Sequence, residues 1–221
     1  MELARTGRSR VRVGEVTAVV GGALLLAGSW IIVAARDHVP TFEVRAFDAI
    51  NGLPGLLWPV VWAPMQLGSF IATLVVPVIV LVVSREWRLG AATLLAGQVA
   101  FWAAKNVKKI VLRARPNALL SGVHVREHAT GLGYVSGHAA VAFALCAAIG
   151  PSLPRRWQPL AIGLPVVVAF ARVYSGAHLP LDVIGGAGLG LLAGTLSRWV
   201  FGLGGEGLPP RPEAVSTEAA R

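Results

Sequence analysis

The sequence predicts an all-α, polytopic membrane protein: six transmembrane helices plus a short interfacial helix. Three observations predict it. The 221 residues are 55% hydrophobic and only 14% charged, with a mean hydropathy of +0.66, which is too apolar for a soluble domain of this size. The apolar residues fall in runs suited to crossing a hydrocarbon core roughly 30 Å thick. The charged residues gather in short segments between those runs.

Each element follows from the same pattern. Residues 1–13 read as a basic cytoplasmic tail carrying Arg5, Arg8, Arg10 and Arg12. The next run, 15–35, lacks a small-residue cleavage signal and reads as an uncleaved first span, with Trp30 near its outer end. Over 39–53, Val39, Phe42, Ala46, Ile50 and Leu53 recur at helical spacing with Glu43, Arg45 and Asp48 opposite. That stretch is too short and polar to cross, so it is placed in the membrane interface. Residues 56–83 make the second span, and 84–88 a tight charged turn. The third span, 89–112, becomes cationic at its far end, and 116–134 form a polar loop. Residues 136–150 are a short fourth span, about 22 Å at ~1.5 Å per residue. A basic turn at 151–156 leads to the fifth and sixth spans, 157–174 and 179–202. The Gly/Pro/Glu-rich stretch 203–221 reads as a disordered tail. No internal repeat or second domain interrupts 14–202.

Charge narrows the possible functions. The net charge is +9, but all three lysines, Lys105, Lys108 and Lys109, lie within five positions, just before Arg113 and Arg115. No soluble domain is available to carry a basic face, so nucleic acid is excluded as a partner. A single cysteine, Cys146, in an apolar run rules out an intramolecular disulfide and a thiolate metal site. With both termini inside, 11 of the 20 Lys and Arg residues are cytoplasmic and nine lie outside. Six of those nine are Lys105, Lys108, Lys109, Arg113, Arg115 and Arg172, candidates for binding substrate or lipid headgroups. Setting them aside leaves 11 against three, which places the outer loops on the extracytoplasmic face.

Three outer segments concentrate the chemistry. In the first, Lys108, Leu112 and Arg115 share a helical stripe that Pro116 terminates, with Lys105 on the same stripe. Such a face suits a group with several anionic oxygens. A snorkelling basic belt on lipid headgroups is the other reading, and it is preferred for Lys109 and Arg113, which lie off the stripe. In the second, Ser136 is a good helix N-cap at the start of the fourth span, followed by Gly137 and His138. A helix start offers free N–H groups to an anion, and Gly137 permits close approach. A plain serine cap beside an incidental histidine fits equally.

The third segment runs from Arg172 to Asp182. Between Glu127 and Glu206 the chain has one acidic residue, Asp182, and after His138 one histidine, His178. Ionisable groups at membrane depth cost roughly 2.5–3.5 kcal/mol each even on lenient scales. A spacing of four puts the two on one face of a helix starting near Pro180. The carboxylate can then hold one ring N–H of His178 and leave the other nitrogen's lone pair free. An aspartate capping its own helix beside an interfacial histidine is the alternative.

Together the blocks resemble the type 2 phosphatidic acid phosphatases, relatives of glucose-6-phosphatase and the vanadium haloperoxidases. That family carries Lys, six residues, Arg-Pro; then Pro-Ser-Gly-His; then Ser-Arg, five residues, His, three residues, Asp. Here the blocks read Lys108 to Arg115-Pro116, Val135-Ser136-Gly137-His138, and Ala171-Arg172 to His178 and Asp182. Val135 replaces a rigid proline, and Ala171 replaces a serine whose hydroxyl touches phosphate. The resemblance covers roughly residues 40–200 and implies that 14–202 is a six-helix membrane phosphatase domain. It also implies catalytic roles for His178 as nucleophile, His138 as acid then base, and Asp182 as the group that fixes the His178 tautomer. Lys108, Arg115, Ser136, Gly137 and Arg172 are then the phosphate-binding residues. No metal and no cofactor are implied. His124 and His128, four apart, lack a third ligand in register and read as a polar loop at the headgroup entrance. The implied partners are a lipid phosphate substrate and the surrounding membrane lipids, with a polyprenyl diphosphate, phosphatidic acid or phosphatidylglycerophosphate as substrate. Phosphoryl transfer to an acceptor other than water, and lipid binding or transport without turnover, are the alternatives.

Overall fold

The structure, a computed structural model, describes residues 13–205. The expected tails, 1–13 and 203–221, lie outside the described residues except for 13 and 203–205. All regular structure among the described residues is helical. In chain order the helices are α1 (Val13–Ala34), α2 (Thr41–Asn51), α3 (Trp58–Met65), α4 (Ala72–Ser84), α5 (Trp87–Val111), α6 (Pro116–Leu119), α7 (Gly137–Ile149), α8 (Gln158–Tyr174) and α9 (Pro180–Val200).

Helices α1, α8 with the single turn before it, and α9 are long and apolar enough to cross a membrane, and α3 and α4 add a fourth span if taken as one bent segment. The expected second span, 56–83, is not one continuous helix. It breaks after Gly68, and its halves meet at 76°. Pro64, inside α3, lacks a backbone N–H, and Ser69 turns extended at φ −75° and ψ 162°. The turn Gln66–Gly68 lodges against the backbone of His138. The stretch expected as the third span forms the 25-residue helix α5. The fourth is only 13 residues, α7, about 20 Å long.

Helix α9 is the central element, packed against α1, α5 and α7. Its face Gly186, Gly190, Gly194 meets the alanine face Ala140, Ala144, Ala148 of α7. A Cβ at Gly186 would lie 2.5 Å from the Ser136 carbonyl oxygen, so only glycine permits this approach. Without hydrophobic drive between helices in lipid, such small-residue faces are how backbones pack. The consequence for the site is direct: the N-terminus of α7 is pressed onto the first turns of α9.

Helix α2 forms as expected but is rotated. Glu43, Phe47 and Asn51 are its buried face, and Phe42 is 55% exposed. Phe47 joins Ala139, Val173, Leu179 and Val183 in an apolar cluster beneath the site. A buried Phe47 brings Glu43, one turn earlier, into the interior with it.

Candidate active site

The three blocks converge at one end of the bundle, each by a different local device. Helix α5 ends with Leu112 in the left-handed region (φ 54°), and Arg115 is extended before Pro116. Arg115 therefore does not share a helical stripe with Lys108, as expected; it reaches the same place from the connecting segment. Its guanidinium donates to the carbonyls of Thr130, Gly131 and Ala177. Lys108 Nζ donates to the carbonyls of Leu132 and Gly133, at 2.8 Å each. Neutral acceptors thus aim both side chains without cancelling their charge.

Ser136 caps α7, its side chain 3.5 Å from the Ala139 N–H. Its own N–H donates to the Asp182 carbonyl at 2.8 Å, tying the starts of α7 and α9 together. Val135, where the family has proline, is fully buried, and the peptide bond before it is cis. Ala171 is buried in an apolar cluster with Val61, Met65 and Tyr174, surroundings that match the absence of a hydroxyl.

Helix α8 ends in a turn that presents His178. The N–H groups of Ala177 and His178 both donate to the Arg172 carbonyl, and Gly176 takes a left-handed φ of 76°. Asp182 caps the start of its own helix and also lies beside His178. Its Oδ2 accepts the Leu179 N–H at 2.9 Å and lies 3.4 Å from His178 Nδ1. That second approach is within ion-pair range but not aligned as a hydrogen bond, so Nδ1 has no hydrogen-bond partner. On the other side of the ring, Arg115 Nη1 is 3.4 Å from Nε2. A guanidinium only donates, so this arrangement suits a ring with its proton on Nδ1 and a lone pair on Nε2. Burial, then the cationic field of Lys108, Arg172 and Arg115, pushes the His178 pKa well below the ordinary imidazole value. The ring is therefore neutral at pH 7 and its lone pair is available.

A cavity of about 270 Å³ opens at this end, lined by Lys108, Arg115, Gly137, His138, Arg172 and His178 together with Phe101, Ala104, Lys105, Glu127, His128 and Ala129. Six of the eight predicted site residues meet there. The other two, Ser136 and Asp182, stand wholly buried behind it. Arg172 is 3% exposed; one nitrogen donates to Glu127 at 2.5 Å, and its Nε has no partner. Burial, then the repulsion of Arg172, lowers the Arg115 pKa. Four basic side chains, Lys105, Lys108, Arg115 and Arg172, on one cavity with one carboxylate at its rim make a site for a polyanion.

Four features escaped the sequence reading. Arg113, placed in a lipid-facing belt, has only 9% of its side chain exposed and bridges Glu43 and Asp182. Glu43, placed on a solvated face, is fully buried. A helical stripe drawn through 43, 47 and 51 instead of 42, 46 and 50 would have found it. Glu127 meets Arg172, a pairing that no spacing announces. Arg126 donates to the carbonyls of Asn51, Leu53 and Tyr174, with its guanidinium 4.0 Å above the Tyr174 ring, and so pins the connecting loop. His124 belongs to that clamp, its Nδ1 3.3 Å from the Asn51 carbonyl, whereas His128 lines the cavity.

Comparison with known proteins agrees with this geometry. An undecaprenyl-diphosphatase of Sulfolobus acidocaldarius is 28% identical over 161 residues, covering 69% of this chain and 73% of that one. The fold is similar to Aquifex aeolicus LpxE, with a TM-score of 0.69 at 21% identity, over 74% of this chain and 98% of that one. It is also similar to a transmembrane PAP2-type phosphatidylglycerolphosphate phosphatase of Bacillus subtilis, with a TM-score of 0.66 at 24% identity, over 81% and 95% of the two chains. The sequence profile of the PAP2 superfamily matches residues 85–204, the stretch that supplies every residue of the cationic cavity, and the chain belongs to that superfamily.

Proposed function

We propose that this protein is an integral-membrane lipid phosphate or diphosphate phosphatase working through a phosphohistidine at residue 178. One observation carries the reading: His178 lines one cavity with Lys108, Arg115, Arg172 and His138, and its Nε2 lies 3.4 Å from Arg115 Nη1. In the first step His178 Nε2 forms a bond to phosphorus as the bond to the leaving oxygen breaks. His138 supplies a proton to that oxygen. Asp182, behind Nδ1, stabilises the cationic ring that results. In the second step His138 takes a proton from water, whose oxygen attacks phosphorus, and the P–N electron pair returns to Nε2. The three cations and the Gly137 N–H at the start of α7 hold the equatorial oxygens, where charge develops. They supply the charge compensation that a metal provides in other phosphatases.

The short α7 favours a lipid substrate. At about 20 Å it is shorter than a hydrocarbon core of roughly 30 Å, which would set His138 below the membrane surface. A phosphate could enter sideways with its tail in the bilayer, past Phe101 and Ala104. We further infer a six-span arrangement, with α5 and α7 as the remaining spans and the cavity facing away from the cytoplasm, as the charge count implies. The relatives favour a diphosphate or a phosphatidyl-type phosphate.

The test is phosphate release by purified protein in detergent, with excess chelator, from a polyprenyl diphosphate, phosphatidic acid and phosphatidylglycerophosphate. Release from at least one, with acid-labile label on His178 after rapid quench, is expected. Loss of activity on chelation that added metal restores, or label on His138, would overturn the mechanism. Transfer of label to an added alcohol without phosphate release would favour a phosphotransferase. For orientation, a cysteine at Asn117 in a Cys146-free variant is expected to react with an impermeant thiol reagent outside intact cells, and one at Arg155 is not; the reverse pattern would invert the topology.

A further inference from the structure

Behind the site, Asp182 meets two further charge-bearing side chains, Arg113 and Glu43, to which the proposed chemistry gives no role. Arg113 stands on the segment between α5 and α6, and its side chain is 9% exposed. One guanidinium nitrogen, Nη1, donates to Asp182 Oδ1 at 2.8 Å and to Glu43 Oε1 at 3.1 Å. The other, Nη2, donates to Glu43 Oε2 at 2.6 Å. Glu43, fully buried on α2, also accepts the N–H of Leu181 in the first turn of α9, at 2.9 Å. Asp182 is thus gripped twice: Oδ1 by Arg113 and Oδ2 by the Leu179 N–H. Only then does Oδ2 face His178 Nδ1.

Two carboxylates share one guanidinium beneath His178. Burial lowers the Arg113 pKa, but the Glu43 and Asp182 carboxylates outweigh it and raise it, so the guanidinium keeps its charge. A buried charge set of this kind is a poor source of stability compared with apolar packing of the same volume. Its geometry is informative instead. Neither Arg113 nor Glu43 lines the cavity, and the Arg113 side chain reaches the site through Asp182, while its carbonyl accepts the Gly133 N–H at 2.7 Å. Glu43 also divides the positive charge of Arg113. With Glu43 neutral, Arg113 would act on Asp182 alone and offset the charge meant for the His178 cation.

We propose that Arg113 and Glu43 are positioning residues for the His178–Asp182 pair, fixing the orientation and the effective charge of Asp182 and through it the tautomer of His178. The inference rests on His178 being the nucleophile. It brings α2, outside the three sequence blocks, into the function of the site.

The test uses Arg113→Met, Arg113→Lys, Glu43→Gln and Asp182→Asn in the full chain, with Lys109→Met as an exposed neighbouring control. Arg113→Met is expected to lower kcat by about 10–100-fold, Glu43→Gln by about tenfold, both with KM within about twofold of the parent. Arg113→Lys, which keeps the charge but loses the two-pronged bridge, is expected to recover part of the loss. Because Arg113 acts through Asp182, Arg113→Met in the Asp182→Asn background is expected to cost nothing further. Nitrogen-15 shifts of histidine-labelled protein give a readout without turnover: His178 is expected to hold Nδ1–H in the parent and to mix tautomers in Arg113→Met and Glu43→Gln. Turnover within twofold of the parent in the folded variants, a loss confined to KM, additive losses with Asp182→Asn, or unchanged shifts would each overturn the proposal. A parent that releases no phosphate while its variants still lose tautomer control would overturn the phosphatase reading alone.

Discussion

The two ends of the bundle each bury an arginine among ionised and polar groups, and they do opposite things with it. At the end away from the site, Arg198 on α9 is 1% exposed. It donates to the carbonyls of Ala148 and Leu203 and to the Ser152 hydroxyl, and lies 3.6 Å from Glu15 of α1. Glu15 in turn accepts from Trp199 and Gly205. Cation and anion there lie side by side, and the set fastens the first and last described segments together. At the site end, Lys105, Lys108, Arg115 and Arg172 line one cavity, with Glu127 at its rim and Asp182 buried behind it. Backbone carbonyls orient Lys108 and Arg115 but leave their charge uncompensated. The larger cavity, about 500 Å³, lies at the Glu15–Arg198 end and is lined mostly by apolar side chains such as Phe143, Ile162 and Leu191. Size therefore does not mark the functional end; unbalanced charge around a neutral imidazole does.

The comparison can be broken in three places. The largest effect is expected for His178→Ala, which removes the nucleophile: kcat falls by about 10⁵–10⁶-fold, no acid-labile phosphoenzyme appears in rapid-quench labelling, and thermal stability is retained. Turnover within a hundredfold would mean that the nucleophile is elsewhere. Arg172→Met is expected to cost about 10²–10³-fold in kcat/KM, the range for losing one preorganised donor at a developing charge. A loss under threefold would place Arg172 with Arg198 as a structural residue. The smallest effect on catalysis is expected for Arg198→Met. It removes the buried guanidinium's hydrogen bonds to Ala148, Ser152 and Leu203 and its approach to Glu15, so unfolding in detergent is expected to become easier by about 3–5 kcal/mol. The kcat of the folded fraction is expected to stay within about threefold of the parent. A large fall in kcat with unchanged stability would erase the distinction between the two ends.

Much of the site was legible in the sequence because its chemistry is expensive in a membrane. His178 and Asp182 stood out as ionisable groups bracketed by apolar runs, and the structure places the pair at the start of α9, where Pro180 said a helix would begin. Ser136 was legible as a cap for the same local reason. Local rules failed where the deciding partner was distant. Arg113 and Glu43 are 70 positions apart, and each alone resembles a surface charge. The break after Gly68 was missed because hydropathy measures the length of an apolar run and not its direction.

By itself the sequence determined the helical class, the apolar runs, the helix starts at Ser136 and Pro180, and the three blocks carrying histidines and cations. Burial cost, capping and proline geometry act over a few residues, so they can be read along a chain. Only the tertiary structure decided which of those charges meet. The glycine face of α9 draws α7 close, the turn at Gln66–Gly68 backs His138, and the rotation of α2 turns Glu43 inward to Arg113. Each is a pairing between distant segments, fixed by packing and by the need of every buried charge for a partner.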